Sequence, residues 1–219
     1  MKEFKIRCSG IGEIMGIKGI GKTGETFLKK WYLEQKYNRK KEFWANQIEK
    51  GLRVEPIGIE MLSKYEGIEM YKNDEWFSND FLNGTPDVIY NEKIVDIKSS
   101  WDIFSFPWFE KELPNKDYYW QLQGYMSLTG HSKAAIAYCL IDTPQPIIAL
   151  ELKKLYYQSG GVSEYWTPES NDSLAENYKF NDIPEEDRIK IFEVERDEAA
   201  IKLIEERVKI CREFLKEIK

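Results

Sequence analysis

The run Phe27, Leu28, Trp31, Tyr32, Gln35 repeats at intervals of three and four residues, which predicts a helix from Glu25 to about Tyr37. A second pattern of that period runs from Glu42 through Phe43, Trp44, Ile48 and Leu52 toward Leu62, with Pro56 and Gly58 expected to kink or break it. The texture then changes. Asp87-Val88-Ile89-Tyr90 and Lys93-Ile94-Val95-Asp96-Ile97-Lys98 are short β-rich runs joined through Asn91-Glu92, the pattern of a hairpin. Residues 101–116 read as an aromatic loop. Tyr118, Leu122, Tyr125, Met126 and Thr129 form one stripe of a helix from Asp117 to Thr129, which Gly130 ends. Ala134 to Ile141 is a continuous apolar run, and Ile147 to Leu152, after Asp142-Thr143-Pro144-Gln145-Pro146, reads as a further strand; the pair is expected to form a buried sheet centre.

Gln158 to Asp187 is polar and reads as mobile, and Ile189 to Val194 supplies one more strand. The final helix, Asp197 to Ile218, carries Ile201, Ile204, Val208, Cys211, Leu215 and Ile218 at strict 3,4,3,4,3 spacing. That stripe is expected to pack on the sheet, a coiled-coil or subunit contact being the alternative. No internal repeat or composition break divides the chain. One domain over 1–219 is expected, with a basic helical part at 1–65, a sheet core at 80–155 and a closing strand and helix at 189–219.

The chain has 219 residues, 42% of them hydrophobic and 32% charged, the composition of an ordered globule. No apolar run approaches the roughly 20 residues that span a bilayer, and Met1-Lys2-Glu3-Phe4-Lys5 has no apolar signal core behind it, so a cytosolic protein without a membrane partner is expected. Cys8, Cys139 and Cys211 are too far apart for a Cys-x-x-Cys site, and His131 is the single histidine, which reads as a capping or surface residue. Any hydrolytic metal must therefore be held mainly by oxygen. The net charge is −6, yet Met1 to Arg53 carries 13 Lys or Arg against 6 Glu. A basic binding face beside an acidic body is compatible with a DNA-handling enzyme, and equally with solvated helix faces.

Two candidate sites stand out. Gly16-Ile17-Lys18-Gly19-Ile20-Gly21-Lys22-Thr23 satisfies the phosphate-loop pattern G-x-x-x-x-G-K-T. Such a loop needs a buried strand before it, and Cys8-Ser9-Gly10-Ile11-Gly12-Glu13 is broken by glycines, so residues 8–24 read as an irregular loop whose lysines contact a DNA backbone. The hairpin is the stronger candidate. Strand alternation places Asp96 and Lys98 on one face and Val95 and Ile97 on the other, and folding back through Asn91-Glu92 brings Asp87 beside that pair. Two close carboxylates repel unless a cation sits between them, and Mg²⁺ accepts two carboxylates plus substrate phosphate oxygens. A lysine beside it can orient or deprotonate the attacking water and neutralise developing charge. That inventory fits phosphodiester hydrolysis; a solvated, salt-bridged hairpin is the bland reading.

Gly84-Thr85-Pro86-Asp87, Asp96-Ile97-Lys98 and Gln121-x-x-x-Tyr125 together resemble the PD-(D/E)xK nucleases, and more narrowly the phage lambda exonuclease type. The resemblance implies a restriction-endonuclease-like α/β (α+β) fold, a mixed sheet flanked by helices. It also implies a Mg²⁺-dependent 5′→3′ exonuclease of linear duplex ends in phage-type recombination, with Mn²⁺ as substitute metal. Gly51-Leu52-Arg53-Val54-Glu55 matches the family's helix glutamate, so Glu55, Asp87, Asp96 and Ile97 are the expected metal residues and Lys98, Gln121 and Tyr125 the expected catalytic partners, Gln123 replacing Gln121 if the register is off by two. Ser9, followed by Ile11 and Ile14, matches the pocket for a 5′-phosphate, with Arg7 or Lys18 as its cation; Lys22 is a further substrate contact. A single-strand annealing protein and a homotrimer are the implied partners. Trp101, Phe104, Phe106, Trp108 and Phe109 read as core by default, with base stacking as the functional alternative. Competing functions are a DNA-binding accessory protein on the same fold and a nucleotide-binding protein built on Lys22-Thr23.

Overall fold

The computed structural model describes residues 3–40, 45–161 and 166–218. The chain runs through β1 (Ile6–Arg7), a 3₁₀ turn (Cys8–Ile14), α1 (Gly21–Tyr37), α2 (Asn46–Glu66), β2 (Phe77–Ser78), β3 (Leu82–Gly84), β4 (Val88–Tyr90) and β5 (Lys93–Ser99). It continues through α3 (Lys116–Thr129), β6 (Lys133–Cys139), α4 (Gln145–Gln158), α5 (Pro168–Glu176), β7 (Ile189–Glu195) and α6 (Glu198–Glu217). β4 and β5 form the expected hairpin. Its two-residue connection has Asn91 at φ 45° and Glu92 at φ 59°, the left-handed pair that matches strand twist. The register sets Val88 opposite Val95 and Tyr90 opposite Lys93. The main sheet has the order β4-β5-β6-β7, with β5 parallel to β6 and the other pairs antiparallel, so it is mixed. A small sheet, β1-β3-β2, stands beside it.

Strand alternation divides the core. Ile94, Ala134, Ile136 and Phe192 join a cluster with Leu122 and Met126 of α3, Leu28 of α1 and Ile204, Val208 and Cys211 of α6. Val95, Ile97, Ala135, Ala137 and Cys139 meet Val54, Ile59 and Leu62 of α2 on the other side. The result is a sheet covered on both faces.

Four expectations are corrected. Residues 8–24 are not an irregular loop. Cys8–Ile14 is a 3₁₀ turn packed on α3, where a Cβ on Gly124 would lie 2.4 Å from the Ile11 Cδ1, and α1 starts at Gly21 rather than Glu25. Pro56 and Gly58 do not break α2. Pro56 is exposed, so water can reach the Leu52 carbonyl that loses its helical donor, and Gly58 lets the helix approach β5: a Cβ there would lie 2.6 Å from the Ile97 Cγ2. The proposed start of that helix at Glu42 to Trp44 lies outside the described residues. Ile147–Leu152 is not a strand but part of α4, entered through Pro144 at the N-cap with Pro146 in its first turn; Ile147, Ile148 and Glu151 share its buried side. The polar stretch after Gln158 contains α5. The α6 stripe is buried as expected from Ile201 to Leu215, in the cluster that holds Ile94, Ala134 and Ile136 of the sheet, with its main contacts on α3, α1 and the 3₁₀ turn.

Candidate active site

The hairpin delivers Asp87 and Asp96 into one cleft of about 560 Å³, whose walls also include Glu55 and Leu52 of α2, Lys98, Gln121, Tyr125 and Arg7. Asp87 stands just before β4, and its Oδ2 accepts the Ile97 N–H at 2.8 Å, so the carboxylate is tied to the strand that carries Asp96. Asp96 is 1% exposed. Its Oδ1 accepts from the Gln121 amide at 2.8 Å and its Oδ2 faces the Lys98 ammonium at 2.5 Å. Lys98 also donates to the Gln121 Oε1 at 3.4 Å and lies 4.7 Å over the Tyr118 ring. The Gln121 amide donates to the Tyr125 hydroxyl as well, and Tyr125 donates to the Thr85 carbonyl. The i, i+4 spacing on α3 thus stacks the two side chains against the acidic pair.

Burial first, and then the Asp96 charge, push the Asp87 carboxyl up to about 8. Burial works to lower the Lys98 ammonium, but Asp96 outweighs it and holds Lys98 above its ordinary value. Burial and Asp96 raise the Tyr125 phenol, which stays a neutral donor. Two carboxylates that cannot both ionise comfortably, with one lysine paired to Asp96, form a donor set suited to a hard divalent cation. Among the described residues, no three His, Cys, Asp or Glu side chains form a ready-made cage. Glu55 lines the cleft but pairs with Lys72 at 2.6 Å, and the Glu55 bond raises the Lys72 ammonium.

The other expected residues divide. Arg7 lines the cleft with its guanidinium 5.7 Å from the Trp76 ring centroid. Ser9 is exposed on the first turn of the 3₁₀ segment, two residues from Arg7, while Ile11 and Ile14 are core and Lys18 is exposed. Lys22 does not line this cleft; it lines a separate cavity with Glu13, Thr26 and Lys30. Neither is it a phosphate-loop lysine, because the segment before it is a 3₁₀ turn instead of a buried strand. Gln123 is structural, bridging the Glu195 carbonyl and the Asp197 N–H at the β7–α6 junction. His131 is half-buried beside Gly130. The aromatic loop is mixed: Phe106 is core, Trp101 lines the cleft, and Phe104 and Phe109 are 88% and 93% exposed. Sequence reasoning missed Tyr118, although it lies three residues before Gln121 on the same helix face, and Lys72, which no local pattern links to Glu55.

No family model matches the sequence, and no curated protein matches it significantly. Solved structures do. A phage-related exonuclease from Haemophilus somnus 129PT superimposes with a TM-score of 0.82 at 24% identity, over 99% of this chain and 96% of that one. The alkaline exonuclease LHK-Exo from Laribacter hongkongensis gives a TM-score of 0.66 at 13% identity, over 98% and 89% of the two chains. Its complex with dAMP gives 0.62 over the same shares. The chain has the fold of these exonucleases.

Proposed function

We propose that the chain is a metal-dependent deoxyribonuclease, an exonuclease that hydrolyses linear duplex DNA 5′→3′ in phage-type recombination. The observation that carries this is the convergence of Asp87 and Asp96 with Lys98 in one open cleft. The fold shared with phage-related and alkaline exonucleases supports an exonuclease over an endonuclease, and the motif resemblance supports the polarity.

Asp87 and Asp96 would hold the cation, with Ile97 beside them in the cleft and Glu55 as a further donor once released from Lys72. Mg²⁺, or Mn²⁺ in its place, supplies Lewis-acid polarisation of a phosphoryl oxygen when bound. The protein's own part follows from the contacts. Lys98, held protonated, donates a hydrogen bond to the attacking water or a phosphoryl oxygen and offsets the negative charge that develops there. Gln121 fixes the Asp96 carboxylate and is itself fixed by Tyr125. Arg7, with Ser9 beside it, is the candidate contact for a 5′-phosphate. A homotrimer and a single-strand annealing partner belong to the same reading. No helix among the described residues is long and apolar enough to cross a membrane, and the reading places the enzyme in the cytosol of a host cell.

The test is end-labelled linear duplex and closed circular duplex incubated with Mg²⁺, with EDTA as control. Degradation of the linear substrate alone, abolished by EDTA, is expected. Intact substrate under all conditions would leave the accessory DNA-binding function in its place, and micromolar ATP binding lost in Lys22→Ala would favour the nucleotide-binding one.

A further inference from the structure

Lys50 is among the largest fully buried side chains in the described molecule, at 0% exposure. It sits on α2 one residue before Gly51, in a basic stretch where a lysine is expected to reach solvent. Among the described residues no carboxylate forms an ion pair with it. Its ammonium instead donates to two backbone carbonyls, Ser100 at 2.6 Å and Trp101 at 3.2 Å, and lies 5.2 Å from the Phe180 ring and 5.9 Å from the Trp101 ring. Burial pulls this ammonium down to about 8, against the more distant charges of Asp142 and Asp102. A buried cation without a counter-ion is an expensive way to fill space that a methionine would fill. What it does supply is direction. The two carbonyls belong to the bend where the chain leaves β5, directly after Lys98 and Ser99, and Ser100 still donates to the Cys139 carbonyl of β6.

We propose that Lys50 is a positioning residue for the carboxylate site: it fixes α2, which carries Glu55, at a set distance from β5, which carries Asp96 and Lys98. This rests on the metal-nuclease function proposed above. The geometry is a pair of pins. Three residues beyond Glu55, Gly58 meets the Ile97 side chain without room for a Cβ; five residues before Glu55, Lys50 bonds the end of the same strand. Remove the second pin and the first half of α2, still packed through Val54, loses the hydrogen bonds that fix it to the end of β5. The Glu55 carboxylate would then swing relative to Asp87 and Asp96, and a cation that needs donors from both elements would bind less tightly.

The experiment uses the full chain as wild type, Lys50→Met and, as control, Asp96→Asn. Melting temperature is read with and without Mn²⁺, and the initial rate on linear duplex is read across a Mg²⁺ series. Lys50→Met is expected to melt close to wild type without metal, to gain less than half of the wild-type shift with Mn²⁺, and to need about tenfold more Mg²⁺ for half its maximal rate. Its rate at saturating Mg²⁺ should stay within about threefold of wild type and its KM for DNA unchanged, while Asp96→Asn should show neither a shift nor cleavage. A Lys50→Met protein with a wild-type metal response, or one whose rate falls equally at all Mg²⁺ concentrations, overturns the positioning role. If Lys50→Met shows no melting transition, the same two readings on Lys50→Gln, whose shorter amide cannot hold both carbonyls, decide by the same criteria. A wild-type protein that neither responds to metal nor cuts DNA overturns the nuclease function, and Lys50's role with it.

Discussion

Replacing Asp87 with asparagine is expected to make the metal-free protein more stable while removing its metal response. The carboxyl is raised from 3.8 to about 8 by burial and by Asp96. An acid whose folded value lies above its unfolded one stabilises the fold fully below the unfolded value, and that contribution is lost as pH rises toward the folded value. At pH 7 the folded site therefore keeps a proton that the unfolded chain has released. Roughly three units at 1.36 kcal/mol each give an upper bound of about 4 kcal/mol. Asp87 keeps some solvent contact and shares its charge with Asp96, so a gain on the order of 2 kcal/mol, or about 5 °C in Tm for a chain of this size, is expected. Asparagine retains the Oδ1 needed to accept the Ile97 N–H, and its amide can face Asp96. The assay is thermal unfolding in EDTA between pH 4 and 8. The gain should be largest near pH 8 and shrink to a small fraction of that near pH 4, where the folded site holds the proton and the unfolded chain has regained it in part. An Asp87→Asn protein that melts at or below wild type at pH 7, or whose gain is the same at pH 4, would refute the electrostatic account.

Lys98→Met should reduce cleavage at least 100-fold and cost about 3 kcal/mol, because it leaves the buried Asp96 without its cation; initial rates on end-labelled duplex and a urea titration check both, and wild-type turnover would remove Lys98 from the chemistry. Gly58→Ala should destabilise by about 2 kcal/mol despite the better helix propensity, since the new methyl meets Ile97 at 2.6 Å; a rise in the urea midpoint would contradict the close approach. Glu92→Gly should stabilise by about 1 kcal/mol by relieving φ 59°, read from the same titration, and a loss would show that Glu92 contributes more than its backbone costs. If Arg7 and Ser9 receive a terminal phosphate, wild type should start faster on 5′-phosphorylated than on 5′-hydroxyl duplex, and Ser9→Ala should shrink the ratio; equal initial rates for wild type would remove the pocket.

The parts of the site that could be read from sequence are those whose geometry is local. Asp87 to Lys98 spans one hairpin, so strand alternation and a two-residue turn are enough to put three charged groups together. Gln121 and Tyr125 lie one helical turn apart, and helix period alone aligns them. Where two local rules gave the same short pattern, sequence did not decide. Ile147 to Leu152 is six residues long and fits a buried strand or one side of a helix, and the prolines at 144 and 146, read as strand breakers, are also good helix starters. Pro56 and Gly58 were misread for the opposite reason: each weakens an isolated helix, but α2 is held by its packing on β5, and there the missing Cβ is what permits contact.

The lysines show where local reasoning ends. Lys50, Lys72 and Lys98 all lie in charged sequence, and only Lys98, two residues after Asp96, is set apart by spacing. In the folded chain Lys98 neutralises Asp96, Lys72 occupies Glu55, and Lys50 holds two carbonyls at the end of β5. Each role is created by a partner on another element, except that Lys98 finds Asp96 two residues away on its own strand, which is why it alone was legible. The two that were not legible set opposite conditions on the same carboxylate: Lys50 fixes the helix that carries Glu55, and Lys72 ties up its side chain. Metal affinity should therefore depend on both, falling when Lys50 is lost and rising when Lys72 is, although neither residue would touch the metal.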